Sequence, residues 1–228
     1  MLSPVSKIWS VQYELKINDR LSFNNTLFYR KQSSIPFADE LDKVAKSRGL
    51  GITGVDFTYI FIDKSQIGIK GYSPELRYYF KSKKHPWFIG GFAQFEQFDM
   101  TVPASFLVRY DGSIANVELP VDFDISTTSG GILIGKKFVF NRVSLDVVLV
   151  GPHFGSAKKV DAQINEPLLN RLSDADQEFL RQGVIERFKL DESYFNVGVL
   201  GEQARINAKQ KVPYFGIRGL GFNLGYSF

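Results

Sequence analysis

The sequence predicts an all-β fold, an antiparallel up-and-down transmembrane β-barrel. Three observations carry it. Apolar residues alternate with polar or small ones along segments of about ten residues, the period of a strand with two unlike faces. Very short turns take turns with long connections along the chain. The final strand places Leu220, Phe222, Leu224, Tyr226 and Phe228 between Gly219, Gly221, Asn223, Gly225 and Ser227.

Each element follows from its residues. Trp9, Val11, Tyr13, Leu15 and Ile17 alternate with Ser10, Gln12, Glu14 and Lys16, and Asn18-Asp19-Arg20 turns the chain. Leu21, Phe23, Leu27 and Tyr29 alternate with Ser22, Asn24, Thr26 and Arg30 on the returning strand. Phe37, Leu41 and Val44 stand at helical spacing, so residues 36–46 read as a short amphipathic helix. Ile52–Ile62 is apolar and β-branched, a further strand turned by Asp63–Gln66. Tyr72, Leu76, Tyr78 and Phe80 then face one way and Ser73, Glu75, Arg77 and Tyr79 the other. After the basic turn Lys81–Pro86, Trp87, Ile89, Ala93 and Phe95 alternate with Phe88, Gly90, Phe92, Gln94 and Glu96. Asp111-Gly112 marks a hairpin inside the next connection. Gly130–Phe140 and Val143–Gly155 are strands joined by Asn141-Arg142. Ser173-Asp174-Ala175-Asp176 reads as an N-cap before a helix over Ala175–Phe188, with Asp and Glu at its start. Tyr194–Leu200 and Ala204–Gln210 suit a small hairpin before the last strand, Tyr214–Phe228.

Composition narrows the class. A chain of 228 residues without repeats or linkers reads as one domain. Its lack of cysteine excludes disulfide scaffolds, thiolate metal sites and thiol catalysis. The longest stretches free of Asp, Glu, Lys and Arg are His85–Phe95, Ile125–Gly135 and Val147–Ala157, each eleven residues. A spanning helix needs about 20 apolar residues, so any crossing must be made by strands. Aromatics at 14% argue against disorder, and a net charge of +4 does not point to nucleic acid. No cofactor or metal is expected. Met1–Ser10 lacks the shape of a signal peptide, which is therefore expected upstream or already removed.

The turns at 18–20, 81–86 and 141–142 fall at one end of the strands. The long connections 31–66, 103–127 and 158–213 fall at the other. This is the layout of outer-membrane barrels, whose short turns are periplasmic and whose long loops face outward. The apolar faces then meet lipid. Glu14, Lys16, Arg30, Glu75, Arg77, Glu96, Lys137 and Asp146 form an interior charge network. The same alternation fits a soluble β-sandwich acting as a binding module, with the apolar face inward. The C-terminal series ending in Phe228 favours the barrel, since it looks like the signal read by the barrel-assembly machinery.

The chain also resembles a family of small bacterial outer-membrane β-barrels of unassigned function. The matching stretches are Lys7–Glu14, Ser73–Phe80, Gly130–Gly135, Val143–Asp146, Gly151–Ser156 and Gly216–Arg218, in that order. The resemblance implies a location in the bacterial outer membrane and an eight-stranded barrel of OmpA/OmpX-type architecture. Seven strands are legible. The eighth lies upstream of Met1 on one reading, and is Ile52–Ile62 on another.

An eight-stranded interior is filled by its own side chains, so the expected role is a plugged barrel with a structural or surface-interaction function, not a general porin or an enzyme. A lipid-modifying enzyme is the alternative. His153 stands near the outer end of a strand with Ser156 three residues on, although i and i+3 face oppositely along a strand. The outer segments offer a surface for a protein partner, or a lid over the barrel mouth. Arg20, Lys81, Lys83, Lys84 and Arg142 cluster at the short-turn end, where they read as contacts to anionic lipid head groups or as solvated turn charges.

Overall fold

A computed structural model describes residues 7–47, 59–80, 85–110 and 112–226. Its strands are β1 (Trp9–Lys16), β2 (Leu21–Ser34), β3 (Gln66–Tyr79), β4 (Trp87–Tyr110), β5 (Ser113–Phe140), β6 (Val143–Asn165), β7 (Phe195–Leu200), β8 (Gln203–Ala208), β9 (Val212–Arg218) and β10 (Gly221–Tyr226). Helix α1 (Ala38–Ser47) follows β2, and a 3-10 turn (Pro167–Arg171) and helix α2 (Asp174–Phe188) follow β6. All ten strands belong to one antiparallel sheet. β1 to β6 pair in chain order, and the free edge of β6 carries β10, β9 and β8 in succession. β9 and β10 are two halves of one wall strand, broken at Gly219-Leu220. No ladder joins β1 to β9 or β10 among the described residues, so the sheet is not closed.

The sheet nevertheless curls. Glu14 on β1 pairs with Lys137 on β5, and Arg218 on β9 reaches Glu75 on β3 at 3.2 Å. Each pair is four strands apart along the ladder. In a flat sheet four spacings separate strands by about 19 Å. Contact across that interval requires the sheet to wrap around these side chains.

Turn chemistry sets the short end. Asn18 Oδ1 accepts from the backbone N–H of Arg20 and of Leu21, both at 2.9 Å, closing the first hairpin. Asn141 takes a positive φ of 56° between β5 and β6, a conformation asparagine tolerates.

The other end departs from the expected loops. Residues 103–110 and 113–127 are strand: β4 runs 24 residues and β5 runs 28. Pro103 stands opposite Pro120, so both missing N–H donors fall on one rung and the ladder continues past it. Gly112, with φ +73°, lies in the hairpin tip; Asp111 is outside the described residues. The 158–213 segment is likewise folded. β6 extends to Asn165 and pairs with β8, which pairs with β7. α2 and the 3-10 turn cover this part of the sheet. Phe106, Leu119, Val121, Ala162, Ile164, Leu169, Leu180, Val184 and Ile206 bury one another there as an ordinary apolar core. Ile52–Ile62, one candidate for the eighth wall strand, does not stand between β2 and β3. β2 pairs β3 directly, and Ile60 makes only an isolated bridge to Ala104. Residues 52–58 lie outside the described residues.

The N-terminus of α2 yields a prediction. Ser173 Oγ accepts from the Asp176 N–H at 3.3 Å and donates to its carboxylate at 2.6 Å, and Arg109 Nε donates to that carboxylate at 2.5 Å. Ser173 first, then Arg109, hold the Asp176 carboxyl below 3.8. Glu178, bonded by Arg181 and then Gln182, is held at about 2. A carboxyl with a lowered folded pKa stabilises the fold fully above its unfolded value, and the effect fades as pH falls through the folded value. Protection of the first-turn amides of α2, corrected for the intrinsic pH dependence of exchange, is therefore expected to fall as pH drops below about 4. Asp176→Asn should start with less protection and lose less of it as pH falls; an unchanged pH profile of protection in that variant would contradict the assignment.

Candidate functional site

The curl encloses a column of alternating charges and rings. Nearest the short turns, Lys137 Nζ pairs with Glu14, whose other oxygen accepts from Tyr79 Oη at 2.7 Å. The next layer holds Arg77, 1% exposed, and Glu75, 2% exposed. Arg77 donates to Glu75 through Nε and to Asp146 at 2.5 Å through an Nη atom, and its guanidinium lies 4.5 Å from the Phe88 ring centroid. Arg218 approaches the other Glu75 oxygen and lies 5.0 Å from the Phe92 centroid. Buried charges survive only with such partners, since each carries a desolvation cost of several kcal/mol. Glycines make room for the rings. A Cβ on Gly135 would stand 2.4 Å from Phe88, and one on Gly71 2.4 Å from Phe28.

Farther up, Glu96 accepts from Gln94 at 2.6 Å, Thr127 at 3.2 Å and Tyr214 at 3.3 Å. His153 is buried between Phe92 and Tyr214, and its Nδ1 bonds Ser129 Oγ at 2.8 Å. Gly216 lies against that imidazole, where a Cβ would come within 2.3 Å of Cε1.

The outer face is the inverse. Trp9 is 69% exposed, Tyr13 65% and Leu224 75%, and Leu76, Tyr78, Trp87, Ile132, Phe154, Phe215, Ile217, Phe222 and Tyr226 all stand exposed. A cavity of about 420 Å³ opens at the short-turn end, lined by Glu14, Lys16, Arg20, Ser22, Tyr79 and Lys137. Among the described residues no cluster of His, Asp and Glu suits a metal ion, and no helix is long and apolar enough to cross a membrane.

Five of the eight residues expected inside, Glu14, Glu75, Arg77, Lys137 and Asp146, form one connected network. Glu96 sits above it. Lys16 is exposed at the mouth, and Arg30 is buried but spends its guanidinium on Ser33 and the Ser34 carbonyl. His153 is not brought to Ser156; its partner is Ser129. Leu220, Phe222, Leu224 and Tyr226 are all exposed, while Phe228 lies outside the described residues.

Arg218 and Tyr214 are the interior residues that strict alternation misassigns. Counting back from Tyr226 puts both on the apolar face. In the structure the alternation slips by one at Gly219-Leu220, level with a β-bulge near Leu149 on β6, where Leu149 and Val150 are both exposed. The slip turns Tyr214, Gly216 and Arg218 inward and Phe215 and Ile217 outward. The adjacent Gly219 was the available signal.

Fold and site together define an all-β protein whose antiparallel sheet curls around a buried ion-pair network and grows at one end into a folded cap. Residues 42–159 match the family described as "Protein of unknown function (DUF3575)". This is more than half of the chain, which therefore belongs to the DUF3575 family. No curated protein and no solved structure matches it.

Proposed function

We propose that this protein is an integral outer-membrane β-barrel, closed to solute by its interior charges, with a structural or surface-interaction role carried by the cap. The observation that carries this reading is the inversion of polarity within one sheet. In the cap, apolar side chains are inside and charges outside, as water demands. In the curled part, Arg77 and Glu75 are inside while rings and aliphatic chains cover the outside. Only a surrounding apolar solvent makes the second arrangement favourable. The apolar faces have the right height. Tyr72 on β3 to Phe80 just beyond it, and Trp87 to Phe95 on β4, each cover nine residues, against about 9–11 for a tilted membrane strand.

Closure follows from the same solvent. Unpaired strand edges in hydrocarbon cost several kcal/mol per polar group. Six antiparallel steps lead from β1 to the β9–β10 strand, so these two edges run in the same direction. One further strand, opposed to both, completes an all-antiparallel wall of eight. A barrel of that size has no free lumen, in keeping with the column of Arg77, Phe88, Phe92 and Arg218. Membrane lipid and the assembly machinery are the partners this reading requires; the cap offers a surface to a protein partner.

The two tryptophans test it without any substitution, because Trp9 begins β1 at one rim and Trp87 begins β4 at the other. In vesicles of brominated phosphatidylcholine, emission from both should be strongly quenched relative to unbrominated vesicles. Emission indifferent to bromine would leave the sheet in water and remove the proposal.

A further inference from the structure

Among the described residues the short-turn rim presents three cations, Arg20, Lys136 and Arg142, that lack carboxylate partners. Arg20 reaches Tyr78 Oη at 3.4 Å, and Arg142 reaches Tyr226 Oη at 3.5 Å. Lys136 Nζ lies 5.3 Å from the Trp87 ring centroid and 5.2 Å from that of Phe138. Among the described residues none of these three cations joins an ion pair, whereas Arg77, Lys137 and Arg218 inside the sheet each do. Asp19 is the single carboxylate in the 18–20 and 141–142 turns. The opposite end differs in sign: Asp99, Asp122, Asp124 and Asp161 gather there around Lys159 and Arg205.

A neutral ring or phenol positions a cation without neutralising it, so each of these groups keeps both its charge and most of its N–H donors. Three such groups stand beside the rings that end the apolar band, the level at which a lipid phosphate lies. Arginine and lysine at that depth gain from an anionic surface, an attraction that zwitterionic lipid does not provide.

We infer that this rim binds the phosphates of anionic glycerophospholipids in the leaflet on the short-turn side. The inference rests on the membrane-barrel reading above and adds which lipid the barrel selects.

The test uses the full chain in phosphatidylcholine vesicles carrying either spin-labelled phosphatidylglycerol or spin-labelled phosphatidylcholine. The motionally restricted fraction of each label gives relative association at the protein surface. The expected result is preference for phosphatidylglycerol, reduced by salt and lost in the triple variant Arg20→Gln, Lys136→Gln, Arg142→Gln. Each cation is expected to supply up to about fivefold at low salt. The charge-keeping triple Arg20→Lys, Lys136→Arg, Arg142→Lys should retain it, which separates charge from altered folding. Preference that survives in the glutamine triple overturns the inference. So does equal restriction of both labels, which leaves the barrel reading standing. Loss of preference on adding millimolar inorganic phosphate, at constant ionic strength, identifies a free-phosphate site and also overturns it. Absence of restricted lipid for either label removes the lipid-facing wall, and the inference with it.

Discussion

Leu76→Arg is expected to destabilise the protein in a bilayer by about 2–4 kcal/mol, the cost of an arginine near the midplane of a barrel's lipid face. Leu76 on β3 is the midpoint of the apolar series from Tyr72 to Phe80, and it is exposed. Tyr13→Arg, halfway along the apolar series of β1, should behave alike. The effect has this size only if lipid is the solvent. At an exposed position in water the same change stays within about 0.5 kcal/mol. Urea unfolding of protein folded into vesicles, with Ser113→Arg on the exposed β5 end of the cap hairpin as the reference, makes the comparison. Equal, small effects at all three positions would place the apolar face in water and return the sheet to the sandwich reading.

Arg77→Met is expected to cost about 3–5 kcal/mol, as for any buried pair that loses one partner. The size follows from what remains behind. Among the described residues Glu75 then keeps Arg218, at 3.2 Å, and Asp146 keeps Lys137, at 3.6 Å, and both carboxylates are buried. Adding Asp146→Asn to Arg77→Met should recover a large share of the loss, because Glu75 then keeps Arg218, Lys137 keeps Glu14 and no uncompensated carboxylate stays buried. The same unfolding titration measures both. A loss below about 1 kcal/mol for the single variant would mean that the network is not what fills the curl.

Much of this arrangement was legible in the residues, and the parts that were not have identifiable causes. The hairpins closed by Asn18–Arg20 and Asn141-Arg142 and the faces of β1 to β4 follow from period-2 alternation. Both helices sit where their spacing and capping place them. The continuous β4–β5 ribbon was hidden by Pro103 and Pro120, which end a strand on local grounds yet cancel each other across a rung. The inward turn of Arg218 was hidden because a bulge on β6 and the break at Gly219-Leu220 shift two neighbouring strands together. The partner of His153 could not be read at all, since Ser129 lies on the adjoining strand, 24 residues away in sequence.

By itself the sequence determined the strands, their two unlike faces and the set of charges available for an interior. Alternation is a local property of a pleated chain, and it needs no knowledge of what each face meets. Tertiary structure alone decided that Glu14 meets Lys137 and Glu75 meets Arg218. Those contacts join strands four places apart, and they exist only because the sheet's curvature, a property of no single segment, folds its polar face onto itself.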